Sequence, residues 1–350
     1  MKGLRSVFLT LAIVLGSFSV LYANGKEKEV DPTKPTKGNE SVETSGASQN
    51  QIQISSMVKL QILLDRSGFS SGEIDGSAGS NVRKAITAFQ DANGLSPDGR
   101  SDEATLEALS SAELTEPLVS YIITDKDAAG PFNEKIPTDL MEQAELPHLG
   151  YTSVLEGLGE KFHSKPALLQ KLNPESQFQA GDTILVPNVF NLPDDGLTQN
   201  NSASKSGKAG LRPKSGYTIV VTEQSSDVVL KDPDGKIIFH APATVGSEND
   251  RLPIGAWKVT KIHRNPIFSY NPELFWDADP EHAKAKIAAG PNNPVGLVWI
   301  GLNVPSFGLH GTPEPGKIGH SESHGCIRLT NWDALRLASL IRVGTDVIFQ

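Results

Sequence analysis

The one cysteine in this 350-residue chain, Cys326, sits in the run Ser323-His324-Gly325-Cys326-Ile327-Arg328, and a second histidine, His310, lies sixteen residues upstream in Leu309-His310-Gly311-Thr312. A thiol of ordinary pKa is largely protonated at neutral pH, so it needs a base before it can act as a nucleophile. An imidazole within hydrogen-bond reach takes the proton, giving a thiolate–imidazolium pair, and can then protonate an amine leaving group, as amide cleavage requires. Either histidine fits that part. His324 is two residues from Cys326, and on an extended segment residues two apart share a face. His310 ends a strand-like segment and is followed by a glycine-rich loop, Gly311 to Gly319, that can return it to the thiol. Gly325 allows close approach of a substrate carbonyl, the amides of Gly325 and Cys326 can donate to an oxyanion, and Arg328 offers a guanidinium to a carboxylate.

Taken singly, a lone cysteine reads as a small buried hydrophobe and a histidine as a satisfied polar group; the constellation, not any one member, points to catalysis. The rival chemistry is a metal site, because His320 and His324 stand four apart as on zinc-binding helices. Gly316, Gly319 and Gly325 oppose a helix there, and no third ligand has a familiar spacing, so no metal and no organic cofactor is expected.

The net charge of −9 and the lack of a basic patch argue against nucleic-acid binding. Residues 1–23 read as a signal peptide: Met1-Lys2-Gly3-Leu4-Arg5, an apolar run from Val7 to Leu21, then Tyr22-Ala23-Asn24. The run is short for a spanning helix, so no stable membrane span is expected once it is cleaved. An exported protein with one cysteine cannot close an intrachain disulfide, which leaves a free thiol.

Polar, Pro- and Ser-containing stretches at 24–54 and 191–216 read as linkers. Between them, residues 55–111 carry three helical patterns (Val58, Gln61, Ile62, Leu64; then Val82, Ala85, Ile86, Phe89; then Ala104 to Leu109) separated by the turns Ile74-Asp75-Gly76 and Pro97-Asp98-Gly99. With Phe89-Gln90 and Gly94-Leu95, this order resembles the three-helix peptidoglycan-binding module. After a connector at 112–147, residues 148–190 run from Tyr151 through helices at Leu155–Phe162 and Leu168–Leu172 to the strand Thr183–Pro187. That segment is similar to a LysM β-α-α-β unit, although Leu155-Glu156-Gly157-Leu158 stands where the usual Gly-Asp-Thr would be. From 217 to 350 the period becomes two: Tyr217–Val221, Val228–Leu230, Lys236–Phe239, Gly255–Thr260, Leu297–Ile300, Phe307–His310 and Asp346–Phe349 read as strands. Asp232-Pro233-Asp234-Gly235 is a hairpin turn, and one helix starts at Asn331 as N-cap with Trp332, Leu335, Ala338 and Ile341 on its apolar face. The expected fold is therefore multidomain α+β, ending in a mainly-β, sandwich-like catalytic domain. The irregular stretch Arg264 to Pro294 has the length and composition of a lid.

His310-Gly311-Thr312 followed by Ser323-His324-Gly325-Cys326-Ile327-Arg328 resembles the signature of the L,D-transpeptidase (YkuD-type) catalytic domain. Leu252-Pro253-Ile254-Gly255 and Gly290-Pro291-Asn292-Asn293-Pro294-Val295-Gly296 extend the match. The resemblance implies that Cys326 is the nucleophile and His310 its base, with the carbonyl of Gly311 orienting that imidazole. His324 and Gly325 would support catalysis, and Ser323 and Arg328 would bind substrate. It further implies attack on a peptidoglycan tetrapeptide stem, release of the terminal D-alanine, and a 3→3 cross-link on aminolysis of the thioester. Carbapenem-type β-lactams would acylate the same thiol, and the upstream modules would hold peptidoglycan, in the periplasm or cell wall of a bacterium. Water as acceptor would make an L,D-carboxypeptidase, and a protein amine a protein-to-wall ligase. A non-catalytic wall-binding protein is the alternative from another class.

Overall fold

The structure is a computed structural model that describes residues 45–111, 116–189, 215–247, 250–321, 323 and 325–350, with 45–55 and 111 described by backbone alone. The expected signal peptide (1–23), almost all of the second linker and His324 lie outside the described residues.

Three helices open the described chain: α1 (Ser45–Arg66), α2 (Ser80–Ala92) and α3 (Glu103–Ser111). α1 begins ten residues earlier than the sequence suggests, so part of the expected linker at 24–54 is helical backbone. Both Asp-Gly turns form as expected, with Gly76 at φ +76° and Gly99 at φ +71°. At Gly99 a Cβ would stand 2.5 Å from Arg83 Cγ, so a side chain is excluded by space as well as by backbone. Leu64, Phe69, Ile86, Phe89 and Leu109 build the small core, with Phe69 and Phe89 edge-to-face at 5.4 Å.

The second module departs from the expected boundaries. Its first strand, β1 (Leu118–Ile122), lies in the stretch assigned as a connector, and it pairs antiparallel with β2 (Thr183–Pro187), Leu118 opposite Pro187. Tyr151 opens no strand. Between β1 and β2 come α4 (Asp125–Ala128), α5 (Leu140–Ala144), α6 (Val154–Lys161) and α7 (Pro166–Leu172). The α6–α7 pair and β2 stand where the apolar spacing predicts them. The excursion through α4 and α5 hides the partner strand from a local reading, because a polar thirty-residue insertion separates it from α6.

The third module is one eight-stranded sheet in the order β11-β10-β9-β6-β12-β3-β4-β5. These strands are β3 (Thr218–Thr222), β4 (Asp227–Lys231), β5 (Ile237–Pro242), β6 (Gly255–Arg264), β9 (Val298–Leu302), β10 (Gly308–His310), β11 (Ile327–Arg328) and β12 (Asp346–Phe349). A hairpin of β7 (Phe268–Tyr270) and β8 (Ala285–Ile287) projects between β6 and β9, and α8 (Asn331–Leu340) follows β11. β6 makes the sandwich. Its first half pairs with β12, its second half with β9, and the register shifts between Val259 and Lys261. A bulge there bends the strand so that the two halves of the sheet face one another. Ile219, Leu230, Phe239, Val298, Ile300, Leu309, Leu337 and Phe349 fill the space between them. The helix cap differs by one residue from expectation: Thr330, not Asn331, accepts from the Asp333 amide.

Residues 45–350 pack as one unit. The first module extends the edge of β5, since Ser70 N–H donates to His240 O and His240 N–H donates to Gly68 O, both at 2.9 Å. That covers an edge strand that would otherwise expose unpaired backbone. Behind it lies a buried polar junction. The Asp65 carboxylate holds His163 Nδ1 at 3.0 Å, Ser70 donates to Asp333, and Arg336 donates to Asp65 O at 2.7 Å.

Candidate active site

β10 and β11 are parallel, with Leu309 opposite Ile327 and His310 opposite Arg328. Parallel neighbours need a long crossover, and residues 311–326 supply it; this brings residues far apart in sequence together. Continuing the register back by one residue sets Cys326 beside Gly308. Because side chains alternate, Gly308, His310, Cys326 and Arg328 share one face of the sheet. Trp299, opposite His310 on β9, stacks on the imidazole at 5.4 Å and 14°.

His310 is 3% exposed, and its Nδ1 lies 2.7 Å from Gly311 O. A carbonyl can only accept, so Nδ1 carries the proton and Nε2 the lone pair. Burial pulls this imidazole down to about 4, with the Arg328 charge acting the same way and the Gly311 bond opposing. Cys326 is half-buried, its thiol donating to Ser306 O at 3.4 Å. Burial pushes the thiol up to about 11, against a Gly308 backbone hydrogen bond and Arg328, while Asp250 adds to the rise. Burial thus pushes both groups toward their neutral forms, which works against the preformed thiolate–imidazolium pair expected from residue types alone.

The neighbouring residues fix this geometry. Ser323 is buried, its hydroxyl donating to Cys326 O at 2.7 Å and its N–H to Gly246 O at 2.9 Å. It therefore braces the loop that carries Cys326. Gly325 has φ +93°, and a Cβ there would stand 2.9 Å from the Phe307 ring. Gly311 passes so close to Asn331 that a Cβ would meet Oδ1 at 2.1 Å. The same Asn331 Oδ1 accepts from Leu297 N–H at 3.0 Å, which ties the end of the Gly290–Gly296 motif to the residue orienting His310. Arg328 pairs by backbone with Thr244, 2.9 Å from N to Thr244 O, so its side chain leaves from a fixed point. Among the described residues no group of three His, Cys, Asp or Glu is placed to hold a metal ion.

Sequence reasoning missed three participants. Trp299 carries no local signal, since its contact depends on the β9–β10 register. Asn331 looks like a helix cap and instead joins the two glycine turns. Asp250, whose Cβ lies 3.8 Å from the position a Gly325 Cβ would take, belongs to a polar loop without periodicity.

Residues 216–349 match the family model of the L,D-transpeptidase catalytic domain, YkuD, and residues 54–109 match that of a peptidoglycan binding domain. Curated relatives carry L,D-transpeptidase names. YkuD of Bacillus licheniformis is 27% identical over 196 residues, covering 55% of this chain and 91% of that protein. YbiS of Escherichia coli K12 is 28% identical over 213 residues, covering 57% of this chain and 61% of that protein. A solved L,D-transpeptidase from Mycobacterium smegmatis is 19% identical with a TM-score of 0.32; the match covers 39% of this chain and 58% of that one, under two thirds of its length.

Proposed function

We propose that this chain, which carries an L,D-transpeptidase catalytic domain behind a peptidoglycan-binding domain, joins peptidoglycan stems by two-step acyl transfer through Cys326. The thiol proton passes to His310 Nε2 as sulfur bonds to the carbonyl carbon of the stem's third residue. Amides of Gly325 and Cys326 hold the oxyanion, and Arg328 faces the donor's carboxylate. The C–N bond then breaks, and D-alanine leaves with the proton from the imidazolium. An amine of a second stem attacks the thioester, gives its proton to the same nitrogen, and expels the thiolate, leaving a 3→3 cross-link. His310 Nε2 alone carries each proton in this sequence of steps.

The observation that carries this reading is the 2.7 Å bond from His310 Nδ1 to Gly311 O, which leaves Nε2 bare on the face shared with Cys326. A neutral thiol with a neutral base suits attack on an activated or amide carbonyl, so carbapenem-type β-lactams are expected to acylate Cys326. The upstream modules raise the effective concentration of polymeric substrate; glycan affinity in the second module is part of the proposal. No helix among the described residues is long and apolar enough to cross a membrane. We place the protein at the bacterial cell wall, reached by export.

The test is muropeptide mass analysis of walls incubated with the wild-type protein and with Cys326→Ala. The proposal expects 3→3 dimers and lost tetrapeptides in the first sample alone. Gain of tripeptides without dimers would instead identify an L,D-carboxypeptidase, and a wall-bound protein adduct a protein ligase. Identical profiles would end the enzyme reading.

A further inference from the structure

The stretch between β6 and β9 leaves the sheet at the end where His310 sits. Arg264 pairs with Val298, Asn265 N–H donates to Leu297 O at 2.8 Å, and Gly311 N–H donates to Val298 O at 3.3 Å. Its tip reaches the pocket rim: the Trp276 indole donates to Asp250 Oδ2 at 2.9 Å, and Asp250 stands against Gly325. These contacts make it a lid beside the thiol, as its length and composition suggest.

The lid rests on the second module rather than on its own sheet. Leu149, fully buried and contributed by the excursion between α4 and α6, shares a cluster with Tyr270 and Ile287 of the β7–β8 hairpin. Leu149 also bonds through its backbone on both sides, donating to Ala289 O at 3.2 Å and accepting from Asn292 N–H at 3.0 Å. The approach is close: a Cβ on Gly290, at φ +150°, would stand 2.0 Å from Leu149 O. A polar chain makes the second attachment. His282 Nε2 lies 3.0 Å from Asp139 Oδ2, and Tyr270 Oη lies 3.0 Å from His282 Nδ1. A carboxylate only accepts, so Nε2–H donates to Asp139, while Nδ1 pairs with the tyrosine hydroxyl. The other oxygen of Asp139 caps α5 through the Met141 and Glu142 amides, which fixes the carboxylate to its own module.

We propose that this excursion, residues 129–150, holds the active-site lid in its working posture, with Asp139 and His282 as positioning residues for the acyl donor. The second module thus contributes to the donor site itself and is not only an anchor to the polymer. The proposal rests on the acyl-transfer reading for its kinetic arm but not for its structural one.

The test uses the full chain with Asp139→Asn, Asp139→Glu and the exchange pair Asp139→His with His282→Asp. Three quantities are measured: amide hydrogen exchange over 268–287, alkylation of Cys326 by iodoacetamide, and acylation by a tetrapeptide donor. Expected for Asp139→Asn is faster lid exchange and about a five-fold higher KM for the donor, with alkylation within about two-fold of wild type. Asp139→Glu or the exchange pair should recover part of both losses. Unchanged exchange over 268–287 in Asp139→Asn would overturn the proposal, as would alkylation falling in parallel with donor acylation. If the wild-type chain turned over no tetrapeptide, the functional reading would fall, and hydrogen exchange would still decide whether residues 129–150 hold the lid.

Discussion

Two buried histidines in this molecule have nearly the same surroundings and opposite uses. His310 stacks on Trp299 at 5.4 Å and 14°, and His163 stacks on Trp332 at 5.2 Å and 8°. Each engages one partner through Nδ1, but the partner of His310 is the Gly311 carbonyl and that of His163 is the Asp65 carboxylate. A carbonyl fixes the tautomer without lending charge, so burial dominates and His310 stays neutral with Nε2 available. At the junction, burial favours a neutral Asp65, yet His163, Arg336 and Arg66 outweigh it and hold the carboxyl below its usual range. One arrangement leaves a neutral imidazole with Nε2 available, as the proposed base requires; the other joins three modules. The acceptor on Nδ1 decides between them.

The largest effect separating the two sites is expected in chemistry. His310→Gln should slow acylation of Cys326 by about 10²- to 10⁴-fold with little change in thermal stability. His163→Gln should leave acylation within about three-fold of wild type and lower the unfolding temperature. Burst kinetics with a β-lactam and calorimetry on both variants give the two readouts; the reverse pattern would break the comparison. Next in size is Asp65→Ala, which leaves a junction histidine and arginine without their carboxylate. A cost of about 3 kcal/mol is expected in denaturant unfolding, against an intact rate for the folded fraction.

The acid side sharpens the contrast. An unfolded histidine titrates near 6.5 whereas His310 titrates near 4, so between those values the unfolded chain binds a proton that the folded one does not. The part of stability due to His310 is therefore complete above about pH 6.5 and falls as pH drops toward about 4. Acylation should persist to about pH 5 and decline only near pH 4. An effect of opposite sign comes from Glu160, on α6 beside Asn331. Burial, with Glu156 and Glu73, raises it to about 8, against the Asn331 hydrogen bond. Its contribution is complete below about pH 4.5 and is lost as pH rises toward 8, so Glu160→Gln should flatten the thermal stability profile across that window.

Much of the placement of the candidate residues was legible in the sequence, because the cluster is held by local features. Cys326, Gly325 and Arg328 lie in one short run, and His310 and Gly311 in another, so motif and geometry coincide. The hairpin turn at Asp232–Gly235 and the two Asp-Gly turns read correctly for the same reason: positive φ at glycine is a local demand. What sequence did not reveal depends on register or on burial. β1 was masked by the insertion before α6, and Trp299 meets His310 only through strand pairing. The push of the thiol and the imidazole toward their neutral forms comes from desolvation, which residue types do not encode. The Ser323 hydroxyl bond to Cys326 O likewise depends on how the loop folds back on itself.

His310 Nε2, oriented by Gly311, is the proposed base for Cys326. Its most direct test is the rate of Cys326 acylation by a carbapenem in His310→Gln and His324→Gln, measured separately from pH 4 to 9. The account predicts a loss of at least about 10²-fold at His310 with removal of the acid limb near pH 4, and less than about ten-fold at His324 with the limb retained. Equal losses, or a greater loss at His324, would contradict it.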